Sequence, residues 1–271
     1  MNIFYRNHLG EQINLDSENI ILQYQELFDY SWDVEMRNGK ITRFYRDSIT
    51  VPVTVAVTAD TKEEYEEILA TFYRITEVDV VDETPGKLYL GEQYLKCYIC
   101  ASIKEDAFLG IEHQKKNLTI VSDHPYWVRE RRYSFRKNET DPEGAKRYAN
   151  RYPYRYANGL TNSRIVNDHY ADSNFLLTIY GPIVDPVLYI GGHEYSVKIV
   201  LEEGEYLEID SDAGTVVKVK ASGERVNAFH NRSFEISVFE PIHPGGQDIG
   251  WSGRFAFDLV IYEERSEPRW R

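Results

Sequence analysis

Residues 49–57, ITVPVTVAV, form a β-branched run that predicts a strand and is too short to span a membrane. The pattern then changes period. Thr61 stands three residues before Glu64, so its hydroxyl can cap an orphan helical N–H while the carboxylate reaches back; Asp60 is the competing cap. Tyr65, Ile68, Leu69, Phe72 and Tyr73 recur at helical spacing, and Glu63, Glu64, Glu66 and Glu67 take the opposite face or the positive end of the helix dipole. A helix near 61–75 lying on a sheet is predicted. After it the chain reads as a strand, a type II turn at Pro85-Gly86, and two strands around Gly91-Glu92. Further strands are predicted over 118–122 and 127–135.

Upstream, Asn38-Gly39 is the strongest short hairpin signal, because both central positions of a type I′ turn need positive φ. It predicts a hairpin near residues 32–46. Arg37, Lys40, Arg43 and Arg46 are interspersed with aromatics, which leaves two readings. One is a half-exposed ribbon whose charges blunt an edge; the other is an arm reaching a neighbouring subunit.

Beyond residue 173 the pattern is short alternating strands, FLLTIYG, PVLYIGG, HEYSVKIVLEEGEYLEID, TVVKVKASGE, FEISVFEPI and GRFAFDLVIYEE, with glycine turns between them. That predicts a β-sandwich or jelly roll with almost no helix. The intervening residues 138–172 lose apolar periodicity and gather Asn, Gly, Pro, Arg and Tyr. The expected organisation is a β domain over 1–137 with one main helix, a connector over 138–172 and a β-sandwich over 173–271.

Composition narrows the partners. A formal net charge of −13 repels a phosphate backbone, so a nucleic-acid partner is not expected. The start of the chain has no signal-peptide pattern and no run reaches the roughly 20 apolar residues of a spanning helix. Synthesis as a soluble cytosolic protein without membrane insertion is the expectation. Cys97 and Cys100 are the two cysteines; in a strand, residues three apart face opposite ways, and no further cysteine could complete a zinc site. Packing is the favoured role.

Candidate chemistry is thin. The seven histidines form no H-E-x-x-H pair, no G-x-S-x-G is present, and neither phosphate-cradling glycine motif occurs. Asp210-Ser211-Asp212-Ala213-Gly214 begins like a calcium loop, yet Ala221 stands where the closing glutamate is needed. Glu202, Glu203 and Glu205 could be imagined as acid and base for glycoside hydrolysis, but a solvated hairpin tip raises no carboxyl pKa.

The stretch YRITEVDVVDETPGKLYLGEQYLKCYI, the pair NFLLTIYGPIVDP and FDLVIYEERSEPRW, and RYPYRY in the connector together resemble the distal tail proteins (Dit) of long-tailed, non-contractile bacteriophages, the phage tail family. The likeness runs in order over nearly the whole chain. It implies a mostly β protein with one main helix: an N-terminal sandwich or split-barrel-like domain that forms a ring, expected to be a homohexamer, and a C-terminal galectin-like β-sandwich. The ring would join the tail tube to a tail-associated lysin or fibre hub, and in some relatives the second domain docks receptor-binding proteins. Such a protein is a non-enzymatic virion component of a phage or prophage, made in the host bacterial cytoplasm and placed at the tail tip, with no catalytic, cofactor or metal residues. The subunit contact is expected at Trp32, Asn38, Gly39, Phe44 and Tyr45, and the acidic total would suit a lumen through which DNA slides. The alternative is a galectin-like carbohydrate-binding module, for which Trp251 could stack on a sugar.

Overall fold

A computed structural model describes residues 3–105, 113–138 and 161–269. The strands of the first part are β1 (Ile3–Arg6), β2 (Gln12–Asn14), β3 (Ile20–Gln25), β4 (Asp33–Arg37), β5 (Lys40–Tyr45) and β6 (Ile49–Thr58). Then come helix α1 (Lys62–Val81), β7 (Gly86–Leu90), β8 (Gln93–Glu105), β9 (His113–Ser122) and β10 (Trp127–Phe135). The second part holds β11 (Thr161–Asn167), β12 (Phe175–Tyr180), β13 (Ile183–Val184), β14 (Val187–Ile190), β15 (His193–Ser196) and β16 (Val200–Leu201). It ends with β17 (Tyr206–Asp210), β18 (Thr215–Val219), β19 (Arg225–Asn227), β20 (Gly245–Trp251) and β21 (Phe257–Arg265). The chain is mostly β with one long helix, as the alternation predicts.

Two compact units divide it, Met1–Arg129 with Glu264–Arg271, and Glu130–Glu263. Their boundaries cut β10 and β21. Most of the stretch read as a connector, including RYPYRY, lies outside the described residues, and 161–167 form strand β11.

In the first unit β8 belongs to two sheets. Its first half pairs with β7 and β10, its second half with β9, and a register shift at Ile99/Ala101 marks the bend. The other strands follow in order β2-β1-β7 on one side and β3-β6-β9 on the other, all antiparallel. Val53, Val55, Leu88, Leu95, Cys97, Leu118 and Ile120 fill the core between them, closed by Phe72 and Ile75 of α1.

Helix α1 starts as expected. Thr61 is its N-cap, its hydroxyl accepting from Glu64 N at 3.2 Å. The return bond falls one residue earlier, with Glu64 Oε2 accepting from Asp60 N at 3.0 Å. The helix runs six residues past the expected end, through ITEVDVV, which reads as a strand by its β-branched content. Burial explains the difference: Phe72, Ile75, Thr76 and Asp79 are buried at helical spacing, while Val80 and Val81 stay exposed. Packing against the sheet outweighs a propensity difference of tenths of a kcal/mol per residue. The half-buried residues Tyr65, Ile68, Leu69 and Tyr73 pack on the same core, and the Lys116 ammonium beneath them donates to Tyr73 Oη at 2.8 Å.

Pro85-Gly86 is not the central pair of a turn. The reversal falls at Asp82-Glu83, Glu83 taking φ 50°, and Gly86 opens β7. Gly86 lacks a side chain for a different reason: a Cβ there would lie 2.3 Å from Asp79 Oδ2 and 2.4 Å from Tyr5 Oη. Those atoms make a buried hydrogen bond, Tyr5 Oη donating to Asp79 Oδ2 at 2.5 Å, while Asp79 Oδ1 accepts from His8 N at 2.9 Å. Burial, reinforced by the bond to Asp79, pushes the Tyr5 phenol far above its usual range, so it remains the donor.

The second unit is a two-sheet sandwich. One sheet runs β19-β18-β17-β12-β21 and the other β11-β20-β14-β15. Phe175, Leu177, Ile179, Leu207, Ile209, Phe257 and Leu259 from the first meet Ile165, Leu188, Ile190, Tyr195, Ile249 and Trp251 from the second. Two readings change here. FEISVFEPI forms no strand, because Ser233 Oγ accepts from the N–H groups of Glu235 and Ile236, and Ser237 Oγ from Phe239 N, bending the backbone into local turns. GGQDIGW, glycine-rich and outside the predicted strands, is β20; a Cβ at Gly246 would meet the Arg164 guanidinium 2.2 Å away.

Candidate functional site

The sequence candidates for chemistry scatter into structural roles. Cys97 is buried and burial raises its thiol pKa, whereas Cys100 is exposed, its thiol 3.5 Å from Thr119 O. Asp210 Oδ1 accepts from the N–H groups of Asp212 and Ala213, which makes the Asp-rich stretch a turn. Trp251 is buried, edge-on to Phe257 at 5.3 Å, its indole N–H donating to Phe255 O, and so cannot stack on a sugar.

Glu205 corrects the picture of a solvated acidic tip. It is buried, 2.6 Å from Lys218 Nζ, and also accepts from Glu202 N at 2.8 Å. The Lys218 ammonium, then the Glu202 N–H, hold its carboxyl below the usual value of 4.5. A depressed carboxyl pKa stabilises the fold above the unfolded-state value, and that contribution is lost as the pH falls through the folded value. Lys218→Met is therefore expected to move the Glu205 titration upward and to weaken the sandwich at neutral pH, the difference from wild type vanishing as the pH falls through the folded value. Carboxyl NMR titration checks this, and an unmoved pKa would exclude the pair as its cause.

The hairpin is different. Asn38 and Gly39 take φ 51° and 74°, forming the predicted tight turn, and among the described residues β4 and β5 pair only with each other. The register is Asp33↔Tyr45, Val34↔Phe44, Glu35↔Arg43, then Met36↔Ile41 and Arg37↔Lys40. The shift leaves Thr42 as an extra residue, its hydroxyl donating to Glu35 O at 3.0 Å.

That bulge gives the hairpin two faces. Along β4, Val34 and Met36 share a side, and their cross-strand partners Phe44 and Ile41 share it with them. Ile41 and Phe44 are three apart and would face opposite ways on a regular strand; the extra residue brings them together. The other face carries Asp33, Glu35, Arg37, Lys40, Arg43 and Tyr45, with the Arg43 guanidinium 5.8 Å from the half-buried Tyr45 ring. Val34, Met36, Ile41 and Phe44 are 44%, 66%, 52% and 57% exposed, so an entire apolar face meets water.

Tyr126 anchors the base of the hairpin. Trp32, 43% exposed, lies edge-on to it at 6.3 Å, and Arg46 stacks 5.2 Å above it while donating to Pro125 O. Burial lowers the Arg46 pKa, partly opposed by Tyr126 and Tyr30. Of the expected contact residues, the structure groups Phe44 with Val34, Met36 and Ile41, puts Tyr45 on the opposite face, uses Asn38 and Gly39 for the turn, and sets Trp32 at the root. Val34, Met36 and Ile41 escape a sequence reading. The signal that could find them is the three-residue spacing of Ile41 and Phe44 against the register that Asn38-Gly39 imposes.

The hairpin sits on a known architecture. The chain superposes on SPP1 Dit, described as a paradigm of the hub adsorption apparatus in phages infecting Gram-positive bacteria, with a TM-score of 0.59 and 10% identity over 97% of this chain and 98% of that one. It has the Dit fold. A protein of the phage P2 baseplate in its activated conformation with Ca matches at TM-score 0.60 and 13% identity, covering 99% of this chain and 100% of its own. The corresponding Sr structure gives 0.61 and 13% over 98% and 99%. No family sequence model matches, and no curated protein matches in sequence. The resemblance carried by the ordered stretches of sequence is thus borne out in the fold. Among the described residues of this Dit-like chain no helix is long and apolar enough to cross a membrane.

Proposed function

We propose that this chain is a structural hub protein of a phage tail tip, without catalytic activity, whose copies join through the β4–β5 hairpin. The observation that carries the reading is the uncovered apolar face of Val34, Met36, Ile41 and Phe44 on a chain with the Dit fold. An edge ribbon kept for solvent would carry charge on both sides; here charge is confined to one. Each of these side chains is about half exposed already, so covering it contributes on the order of 1 kcal/mol, and the set supplies several. The arm is about 17 Å long at roughly 3.4 Å per residue, enough to reach across a subunit boundary.

The finer assignment is a ring, a homohexamer, joining the tail tube to a tail-associated lysin or fibre hub. The second unit would be available to receptor-binding proteins. The protein would be made in the host cytoplasm and end in the virion. A carbohydrate-binding role loses its main support with Trp251 in the core.

Light scattering at several concentrations and negative-stain electron microscopy test the reading. The wild-type chain is expected to give rings with a central hole. Met36→Ser with Phe44→Ser is expected to give monomers with unchanged circular dichroism and melting temperature, since both side chains are exposed. Rings from the double variant would remove the hairpin from the contact, and a wild-type monomer that binds a glycan array would replace the hub with a binding module.

A further inference from the structure

The first unit also carries a groove that matches the hairpin's two faces. It lies between β2, the start of β3 and the first half of α1, with a volume of about 360 Å³. The strand side is floored by the buried Ile13 and Ile20, and the helix side presents Glu64, Glu67 and the half-buried Ile68. Glu64 is bound by neutral donors only, Asn19 Nδ2 at 3.0 Å and Asp60 N at 3.0 Å. Glu67 is exposed and has no ion-pair partner among the described residues. Nearby cations are already committed: Lys62 lies 3.6 Å from Glu66, and Arg74 pairs with Glu11. Among the described residues, strands β2 and β3 each pair on one side only.

At the other end of this complementarity, Arg37 and Lys40 flank the hairpin turn on the charged face and have no ion-pair partner among the described residues. In a chain of net charge −13 the tip is locally basic. Met36 and Ile41 stand beside them on the apolar face.

We propose that this groove receives the hairpin tip of a second copy of the chain. Arg37 and Lys40 lie toward Glu64 and Glu67 on the helix wall, and Met36 and Ile41 face the groove's apolar floor, where Ile68 is half-buried and Ile13 and Ile20 are buried. The contact is head to tail, since each copy offers its tip to one neighbour and its groove to another, and such contacts propagate until a rotation closes them. Opposite charge fixes which way round the amphipathic ribbon enters, since the inverted orientation presses Met36 and Ile41 onto the carboxylates and desolvates them unpaired. The proposal rests on the reading of the hairpin as the assembly contact, and it assigns the carboxylates of α1 to a neighbour in place of a lumen.

Mixing two disabled variants tests it. Glu67→Arg leaves the tip intact and spoils the groove; Arg37→Glu with Lys40→Glu leaves the groove intact and spoils the tip. All three positions are exposed, so unchanged circular dichroism is the control for folding. Each variant alone is expected to need at least about tenfold more protein to assemble, the equivalent of one or two lost charge contacts. Mixed in equal amounts, they are expected to assemble at lower concentration than either variant alone, because the intact tip meets the intact groove and the reversed tip meets the reversed charge at position 67.

Assembly by Glu67→Arg at wild-type concentrations, with Met36→Ser and Phe44→Ser still blocking it, would overturn the groove and leave the hairpin contact standing. Absence of mixed assembly when each variant alone is blocked would also overturn it. Wild-type chains that stay monomeric at every concentration would overturn both readings.

Discussion

Phe72→Ala is expected to lower the unfolding free energy of the first unit by about 3–5 kcal/mol. Phe72 is 1% exposed and seals the core between α1 and the strands β6, β8 and β9, edge-on to Tyr73 at 5.9 Å. Removing its ring takes away apolar area and leaves a cavity that close-packed β-branched neighbours fill only in part. Leu69→Ala, one turn earlier, is the control. Leu69 belongs to the same stripe but is only half-buried, so its loss is expected to cost about 1 kcal/mol. Urea unfolding followed by hydrogen exchange of the β6 and β8 amides confines the measurement to this unit. Equal losses at the two positions would show that the helix seats on its first half and not around Phe72, Ile75 and Thr76.

Gly86→Ala is expected to cost a comparable amount, about 3–5 kcal/mol, although it adds a single methyl group. The new Cβ falls on Asp79 Oδ2 and Tyr5 Oη, both on fully buried side chains that are bonded to each other. Neither can swing into water, so the methyl group separates a phenol from the carboxylate it serves and leaves a charge with fewer partners in the core. Tyr5→Phe breaks the same bond without the clash and is expected to cost about 1–3 kcal/mol. The same exchange measurement, read at β1 and β7, separates the two. A Gly86→Ala variant as stable as wild type would mean that β7 shifts freely relative to α1, contrary to the tight packing seen here.

These sites show how far local pattern reaches. The start of α1, the Asn38-Gly39 turn, the hairpin at Gly91-Glu92 and strand β10 all follow from short-range chemistry, since a capping hydroxyl, a positive φ or an alternating face acts within a few residues. The end of α1 does not. ITEVDVV is β-branched and reads as a strand until Ile75, Thr76 and Asp79 are seen packed on the sheet, where burial overrides propensity. Gly86 looks like a turn glycine beside a proline, and only its approach to Tyr5, far away in sequence, reveals why a side chain is excluded. FEISVFEPI alternates like a strand but is turned aside by Ser233 and Ser237, and glycine-rich β20 pairs on both sides because β11 and β14 flank it.

The candidate site divides the same way. By itself the sequence determined that a hairpin exists near residues 32–46, that its turn is tight, that its flanks mix aromatics with basic residues, and that the chain is mostly β. Those features depend on residue type and spacing alone. The tertiary structure decided the rest: that Thr42 bulges, so that Val34, Met36, Ile41 and Phe44 share one uncovered face, and that β2, β3 and α1 enclose a groove with carboxylates on one wall. A bulge is set by which cross-strand partners satisfy the backbone, and a groove by elements distant along the chain, so neither leaves a mark in the local alternation of polar and apolar residues.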